Sequence, residues 1–403
     1  MNAPFPGDRR ATGRGSILAP VMLRMIDRID TGIDKGSIHL TLPDRTQRLI
    51  GSRGDGPNAI VDLRSWRALV RLALSGSGGW YEAWEKGEWA SPDPVQIFAV
   101  FSLNRASLAR PARATGPWKQ VRRLAHWLHR NSRRGSRRNI HFHYDLGNDF
   151  YAQWLDAGMT YSSAMFTAPG QSLQDAQAAK LGAILDRTAT RPGDTILEIG
   201  CGWGSFAEAA LDAGREVHGI TLSSEQLTYA AARNPKGEFS LVDYRDVTGT
   251  YDAVVSIEMA EAVGREFWPH YLSAIARALK PGGRAALQII IFDDALFADY
   301  AANVDFIQTY IFPGGLLISE GAFRALAAQN GLEWRDQVNF GASYAETCRQ
   351  WRENFDAAAA AGRLPKQFDA HFIALWRYYL MYCEGGFRGG GIDVAQVTLL
   401  KEG

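Results

Sequence analysis

Residues 196–205 read ILEIGCGWGS, an apolar run that ends in a carboxylate and passes at once into a glycine-rich turn. Such a run bounded by a tight turn is a buried strand, and glycines let backbone come close to a ligand. The segments that follow keep the same alternation. GSFAEAALDAG reads as a helix stopped by glycine, REVHGITL as a strand, and SSEQLTYAAARN as a helix opened by a serine cap. FSLVDYRD and YDAVVSIEM read as strands, FWPHYLSAIARALKPGG as a helix closed by a Pro-Gly-Gly turn, and RAALQIII as the next strand. This alternation predicts an α/β fold with a doubly wound sheet, whose ligands sit at the carboxyl ends of the strands. Residues 292–385 read as mostly helical, with a short closing strand near DVAQVTLL.

Turns of this kind hold nucleoside triphosphates, dinucleotides or S-adenosylmethionine. A phosphate loop needs G-x-x-x-x-G-K-[ST], but no lysine or arginine lies between Gly200 and Gly214. A dinucleotide site needs an acid about twenty residues on; Ile220 and Thr221 stand there. Glu198 beside Gly200, Gly202 and Gly204 suits instead a cationic ligand without phosphate. S-adenosylmethionine carries an ammonium and a sulfonium, and a strand-end carboxylate can hold its amino-acid end. A lone glycine turn would be only a turn; EIGCGWG followed by LKPGG two strands later makes the methyltransferase reading much stronger.

The 403 residues leave room for a second unit upstream. SIHLTLPDRTQRLI (37–50) alternates around PDR as a hairpin, NAIVDL is a strand, and SWRALVRLALSG is a helix with a Ser-Gly stop before GGWYEAWEKGEW. Residues 1–104 thus form a small α+β unit, 105–140 a basic linker, and 141–403 the α/β domain. The linker holds many arginines and no carboxylate. It fits a solvated linker helix or, one step further, a patch for anionic phospholipid headgroups. No nucleic-acid motif accompanies it, and the net charge of +1 offers no bulk attraction to nucleic acid. The apolar stretch ILAPVML is closed by Arg24 and is too short to span a bilayer. Three cysteines give neither a disulfide framework nor metal spacing, and a cytoplasmic setting fits, with membrane contact at its inner face only peripheral.

HYDLGNDFY (143–151), YSSAMF (161–166), EIGCGWGS, GITLSSEQ (219–226), YIFPGG (310–315), NFGASYAETCRQWRENF (339–355) and YYLMYCEGGFRGGGID (378–393) occur in order along the chain. Together they resemble the cyclopropane-fatty-acyl-phospholipid synthase family, from about residue 37 to the C-terminus. The resemblance implies a Rossmann-like class I methyltransferase with a small N-terminal lipid-binding-like domain. It also implies methyl transfer from S-adenosylmethionine to the double bond of an unsaturated acyl chain, usually in a membrane phospholipid. Cofactor contacts then fall on Tyr161, Ser162, the turn from Ile196 through Trp203 to Gly204, Thr221, Leu222, Gln226 and, on the adenine side, Tyr244. The family also holds a bicarbonate that takes a proton from the cationic intermediate. Its ligands correspond to Glu261, Tyr344, a cysteine that is Ser163 here and a histidine that is Gln288 here. These two departures leave a cyclopropane and a methyl-branched product equally open. Cys383 matches the family's C-terminal cysteine motif.

An alkene is a weak nucleophile and a sulfonium methyl a strong electrophile, so the site must align the two and stabilise a cation. Aromatic faces do this, and Phe142, Tyr144, Tyr161, Trp203, Phe306, Tyr310, Phe312 and Tyr344 are the candidates. His141 and His143 lack a third ligand at metal spacing, so no metal is expected. Two other readings compete: an N-methyltransferase of a small amine, which the N-terminal unit argues against, and an inactive lipid-binding homologue, which the intact glycine turn argues against. The oligomeric state stays open between monomer and homodimer.

Overall fold

The computed structural model describes residues 18–109 and 146–403. Ser37–Thr41 (β1) and Gln47–Gly51 (β2) pair antiparallel, as the alternation around PDR predicts. Asp44 turns the hairpin by accepting the Thr46 amide at 2.9 Å, with Arg45 at φ 71°. Asn58–Leu63 (β3) lies parallel to β1, and Trp89–Ala90 (β4) closes the order β2-β1-β3-β4. The Ser-Gly stop in SWRALVRLALSG holds. Gly76, at φ 56° and ψ −141°, is non-helical and divides the span Arg67–Glu85 into two helices, the second running through GGWYEAWE. Only glycine adopts that backbone cheaply.

The larger sheet is built from Thr195–Ile199 (β5), Glu216–Thr221 (β6), Glu238–Leu241 (β7), Tyr251–Ile257 (β8), Leu279–Phe292 (β9), Ile318–Ser319 (β10), Leu332–Asn339 (β11) and Ile392–Lys401 (β12). Its order is β7-β6-β5-β8-β9-β12-β11, with β10 beside β9. Strands β5 to β9 are mutually parallel, and β12 runs antiparallel between β9 and β11. The Pro-Gly-Gly turn lies at the start of β9, where its register against β8 slips. The chain leaves β5 toward β6 on one side and returns to β8 on the other, so the crevice above β5 is the topological switch point. The doubly wound expectation therefore holds. Residues 292–385 are not all helical, because β10 and β11 fall there. LEWRDQVN is an edge strand with mostly half-buried or exposed residues, so it lacks the apolar signature of the inner strands.

The N-terminal sheet is joined to this domain by close helix contact. The helix Ala370–Arg388, capped by Asp369 accepting from the Phe372 amide at 2.8 Å, lies on the helix Pro94–Leu103. A Cβ on Gly385 would stand 2.4 Å from Phe98 Cβ and 2.7 Å from the Val95 oxygen, so only glycine permits this approach. Ser102 Oγ donates to the Gly386 carbonyl at 2.6 Å, and Ser77 Oγ accepts from the Phe306 amide at 2.9 Å. Tyr81 packs on Phe306, Tyr310 and Tyr378 with ring centroids 5.0–5.2 Å apart. One apolar core thus runs from Ile26 and Trp89 to Trp154 and Tyr378. Of the basic stretch only 105–109 is described. Arg105 donates to the Gly390 carbonyl at 3.0 Å and pairs with Asp293 at 3.2 Å. Phe142, Tyr144, His141 and His143 lie outside the described residues. Among the described residues no helix is long and apolar enough to cross a membrane.

Candidate active site

The crevice above β5 is lined by Tyr161, Ser162, Lys180, Glu198, Gly200, Gly202, Trp203, Thr221, Leu222, Gln226, Tyr244 and Glu258, among others. The cofactor-binding residues expected from the sequence are there except Ile196 and Leu197, which lie in the buried body of β5, and Gly204, which caps the following helix Ser205–Asp212. The three glycines differ in what they do. All have positive φ (83°, 52° and 81°). A Cβ on Gly200 would stand 2.6 Å from Met259 Cγ, and one on Gly204 2.5 Å from Asn234 Nδ2, whereas one on Gly202 would meet no protein atom within 4 Å. Gly200 and Gly204 therefore serve packing, and Gly202 faces open space. Thr221 Oγ1 donates to Gln226 Oε1 at 2.9 Å and accepts from the Ser223 amide at 3.1 Å, which fixes the tip of β6. Trp203 Nε1 donates to Asn148 Oδ1 at 2.7 Å, and the ring packs on Tyr151.

Glu198 lies one residue before the end of β5 with 3% of its surface exposed, and its Oε2 has no hydrogen-bond partner among the described residues. Burial pushes its carboxyl up to about 8, against the opposing pull of Lys180. A cation arriving beside it would restore the carboxylate and satisfy the orphaned oxygen. An ammonium at Glu198 and open space at Gly202 fit the amino-acid end of S-adenosylmethionine. Lys180 was not anticipated. It sits on the buried face of the helix Leu173–Thr188, whose Ala176, Gln177, Leu181 and Ile184 share that face. A lysine and a glutamine at core positions of an amphipathic helix were the available signal.

A second cluster surrounds Glu258. Gln288 and Tyr344, expected to share a bicarbonate with Glu261, both hydrogen-bond Glu258. Oε1 of Glu258 accepts from the Ser163 amide at 2.8 Å and from Gln288 Nε2 at 2.7 Å, and Oε2 accepts from the Tyr344 hydroxyl at 2.6 Å. Glu258 follows the carboxyl end of β8, next to the carboxyl end of β5 where Glu198 lies, and adopts φ 50°, rare for a residue with a side chain. Its amide donates to the Gln288 carbonyl at 2.8 Å. Glu261 accepts instead from the backbone amide of Ile290, and its Oε2 has no partner among the described residues. Burial, and then the neighbouring Glu258, push the Glu261 carboxyl up to about 8. Burial also raises Glu258, but Tyr344, Gln288 and the Ser163 amide oppose that rise. The two carboxyls differ in their surroundings: three donors favour the charged form of Glu258, and a single backbone amide does so at Glu261. Three of the four positions named as bicarbonate ligands, Ser163 through its amide, Gln288 and Tyr344, thus hydrogen-bond Glu258.

The remaining candidates form walls. Tyr161 OH lies 2.8 Å from Tyr379 OH, and Phe312 packs on Tyr379. Tyr344 stacks on Phe387 with centroids 4.2 Å apart. Phe306 and Tyr310 turn to the N-terminal unit through Tyr81. Burial, then Asp305 and Glu258, push the Cys383 thiol well up, so it is a thiol and not a thiolate. Cys201 and Cys348 are buried.

Residues 131–397 match the model of the mycolic acid cyclopropane synthetase family. Over 362 residues the chain is 38% identical to the tuberculostearic acid methyltransferase of Mycobacterium tuberculosis, covering 83% of this chain and 81% of that one. It is 36% identical to the cyclopropane-fatty-acyl-phospholipid synthase of Escherichia coli over 263 residues, 64% of this chain and 66% of that one. The solved cyclopropane synthase from Mycobacterium tuberculosis superposes with a TM-score of 0.61 at 28% identity, over 66% of this chain and 98% of that one. A mycolic acid cyclopropane synthase complexed with SAH and CTAB gives 0.60 at 29%, with the same coverage. With its crevice, its glycine turn and these likenesses, the chain belongs to the mycolic acid cyclopropane synthetase family of S-adenosylmethionine-dependent methyltransferases.

Proposed function

We propose that this protein methylates the double bond of an unsaturated lipid acyl chain and that Glu258 is the base that resolves the cation so formed. The observation that carries the assignment is the convergence of the Ser163 amide, Gln288 and Tyr344 on one buried carboxylate. Bound S-adenosylmethionine supplies the electrophilic methyl group. The chain's own residues do the rest. Glu198 and the glycine turn hold the amino-acid end, Thr221 and Gln226 hold the ribose side, and the aromatic walls exclude water from the developing cation. As the new C–C bond forms, positive charge appears on the neighbouring alkene carbon. The Glu258 carboxylate stabilises that charge and accepts a proton from carbon, while Tyr344 and Gln288 keep the carboxylate in place.

The relative that spans 83% of the chain is named a methyltransferase and not a cyclopropane synthase, so we assign a methyl-branched product. A trideuterated methyl donor reads this directly: a branch formed by proton loss from the chain retains three deuterons, and ring closure retains two. Glu258→Gln should lower turnover about 10²- to 10⁴-fold with cofactor affinity nearly unchanged. Full activity in a folded Glu258→Gln variant, with loss in Glu261→Gln, would transfer the role to Glu261. We place the reaction at an anionic membrane surface, supported by the arginine-rich, carboxylate-free run 105–140. Sedimentation with anionic liposomes should weaken with salt and with Arg122, Arg123, Arg133 and Arg134 changed to Ala; equal binding to neutral liposomes would defeat this placement.

A further inference from the structure

Lys180 is fully buried, and its Nζ lies 2.7 Å from Ser162 Oγ. Its charge is felt by Glu258, Asp156 and Glu198, while this hydrogen bond goes to a neutral hydroxyl. An ammonium has three hydrogens and no lone pair, so Ser162 Oγ must accept from it. The single hydroxyl hydrogen of Ser162 is then committed to another acceptor. Ser162 lines the crevice beside Gly200 and Glu198. Its backbone is also pinned, because Gln177 Nε2, one turn away on the same helix face, donates to the Ser162 carbonyl at 2.9 Å.

We propose that Lys180 is a positioning residue that fixes the Ser162 hydroxyl as a donor to the carboxylate at the amino-acid end of the cofactor. The ligand's ammonium meets Glu198, whose Oε2 has no hydrogen-bond partner among the described residues, and its carboxylate meets the Ser162 hydroxyl. The two buried charges thus recognise the two ends of an amino acid, one directly and one through a hydroxyl. This assignment rests on the reading of the crevice as a S-adenosylmethionine site.

Calorimetry with two ligands tests it: S-adenosylhomocysteine, which has the amino-acid end, and 5′-methylthioadenosine, which lacks it. Lys180→Met should weaken S-adenosylhomocysteine binding about tenfold to a hundredfold, the worth of a hydrogen bond to a charged group. Binding of 5′-methylthioadenosine should stay within twofold. Ser162→Ala should show the same selective loss, and the double variant should be no worse than Lys180→Met alone. Parallel weakening of both ligands, or unchanged S-adenosylhomocysteine affinity, would overturn the proposal. Should Lys180→Met not fold, Lys180→Arg with Ser162→Ala takes its place: unchanged S-adenosylhomocysteine affinity in Ser162→Ala would overturn the proposal, and a selective loss in both would support it. Failure of the unaltered protein to bind either ligand would refute the cofactor site itself and not this division of labour within it.

Discussion

Gln396 Nε2 donates to Gln288 Oε1 over 3.1 Å, while Gln288 Nε2 donates to Glu258 Oε1 at 2.7 Å and to the Ser163 carbonyl at 3.2 Å, so both ends of this amide are fixed. The order continues outward. Gln396 Oε1 accepts from Arg187 Nε at 3.2 Å, and Arg187 also bonds Thr398 Oγ1. An arginine at one edge therefore polarises two buried amides in series, and the last of them presents N–H to the carboxylate.

Gln396→Leu should break this order. Gln288 Oε1 and Arg187 Nε would each lose a partner, at a cost of about 1–3 kcal/mol in stability. Gln288 would keep its two acceptors but lose the partner that holds its oxygen, and turnover should fall with little change in cofactor affinity. Denaturant melts and steady-state rates on the same preparation check both parts. A variant with lowered stability but full kcat would show that the amide order is structural only.

Gly202→Val should abolish cofactor binding in a protein that still folds. The added side chain meets no protein atom at Cβ, so it enters the space assigned to the ligand. The positive φ adds a strain of about 1–3 kcal/mol. Circular dichroism establishes folding, and S-adenosylhomocysteine titration gives the answer; normal affinity would remove this turn from the site.

Gly385→Ala should loosen the seam between the N-terminal sheet and the methyltransferase domain. The new methyl would collide with Phe98 Cβ and the Val95 oxygen, a cost of about 1–3 kcal/mol for overpacking. Thermal unfolding should shift down. The same change at Gly182, where a Cβ meets nothing within 4 Å, should not lower it.

Asp252 predicts an acid limb of stability. Burial would raise its carboxyl, but Lys280 at 2.7 Å and the amide and hydroxyl of Thr195 outweigh that and hold it at about 2. A carboxyl depressed in the fold stabilises above its unfolded value of 3.8, and the contribution is lost as pH falls toward 2. After allowance for the half-exposed Lys280, it amounts to about 1 kcal/mol. Asp252→Asn should lose it at neutral pH and flatten the curve between pH 4 and pH 2. An unaltered pH profile in that variant would assign the limb elsewhere.

The sheet and the cofactor crevice were legible because both follow from local pattern. Each inner strand is a short apolar run, and the glycine turn sits at a strand end without a phosphate-binding cation. Strand β11 was missed because an edge strand keeps polar residues on its open side. The cluster at Glu258 has a different origin. EMAEAVG offers two carboxylates three residues apart, and the resemblance named only Glu261, as a bicarbonate ligand. Only the left-handed backbone at Glu258 aims the other one at Tyr344 and Gln288, and no periodicity announces such a residue. Lys180 was readable in principle, as a charge on an apolar helix face, but its partner Ser162 is a contact between separate segments.

A base that belongs to the chain cannot be washed out. A dissolved anion serves such a site only in proportion to its concentration in the medium, and it departs when the buffer is stripped of carbon dioxide. The Glu258 carboxylate, tied to β8 and held by three donors, is present at every turnover at the same effective molarity. An enzyme built this way should run at one rate in degassed and in bicarbonate-rich buffer, indifferent to the gas above the solution.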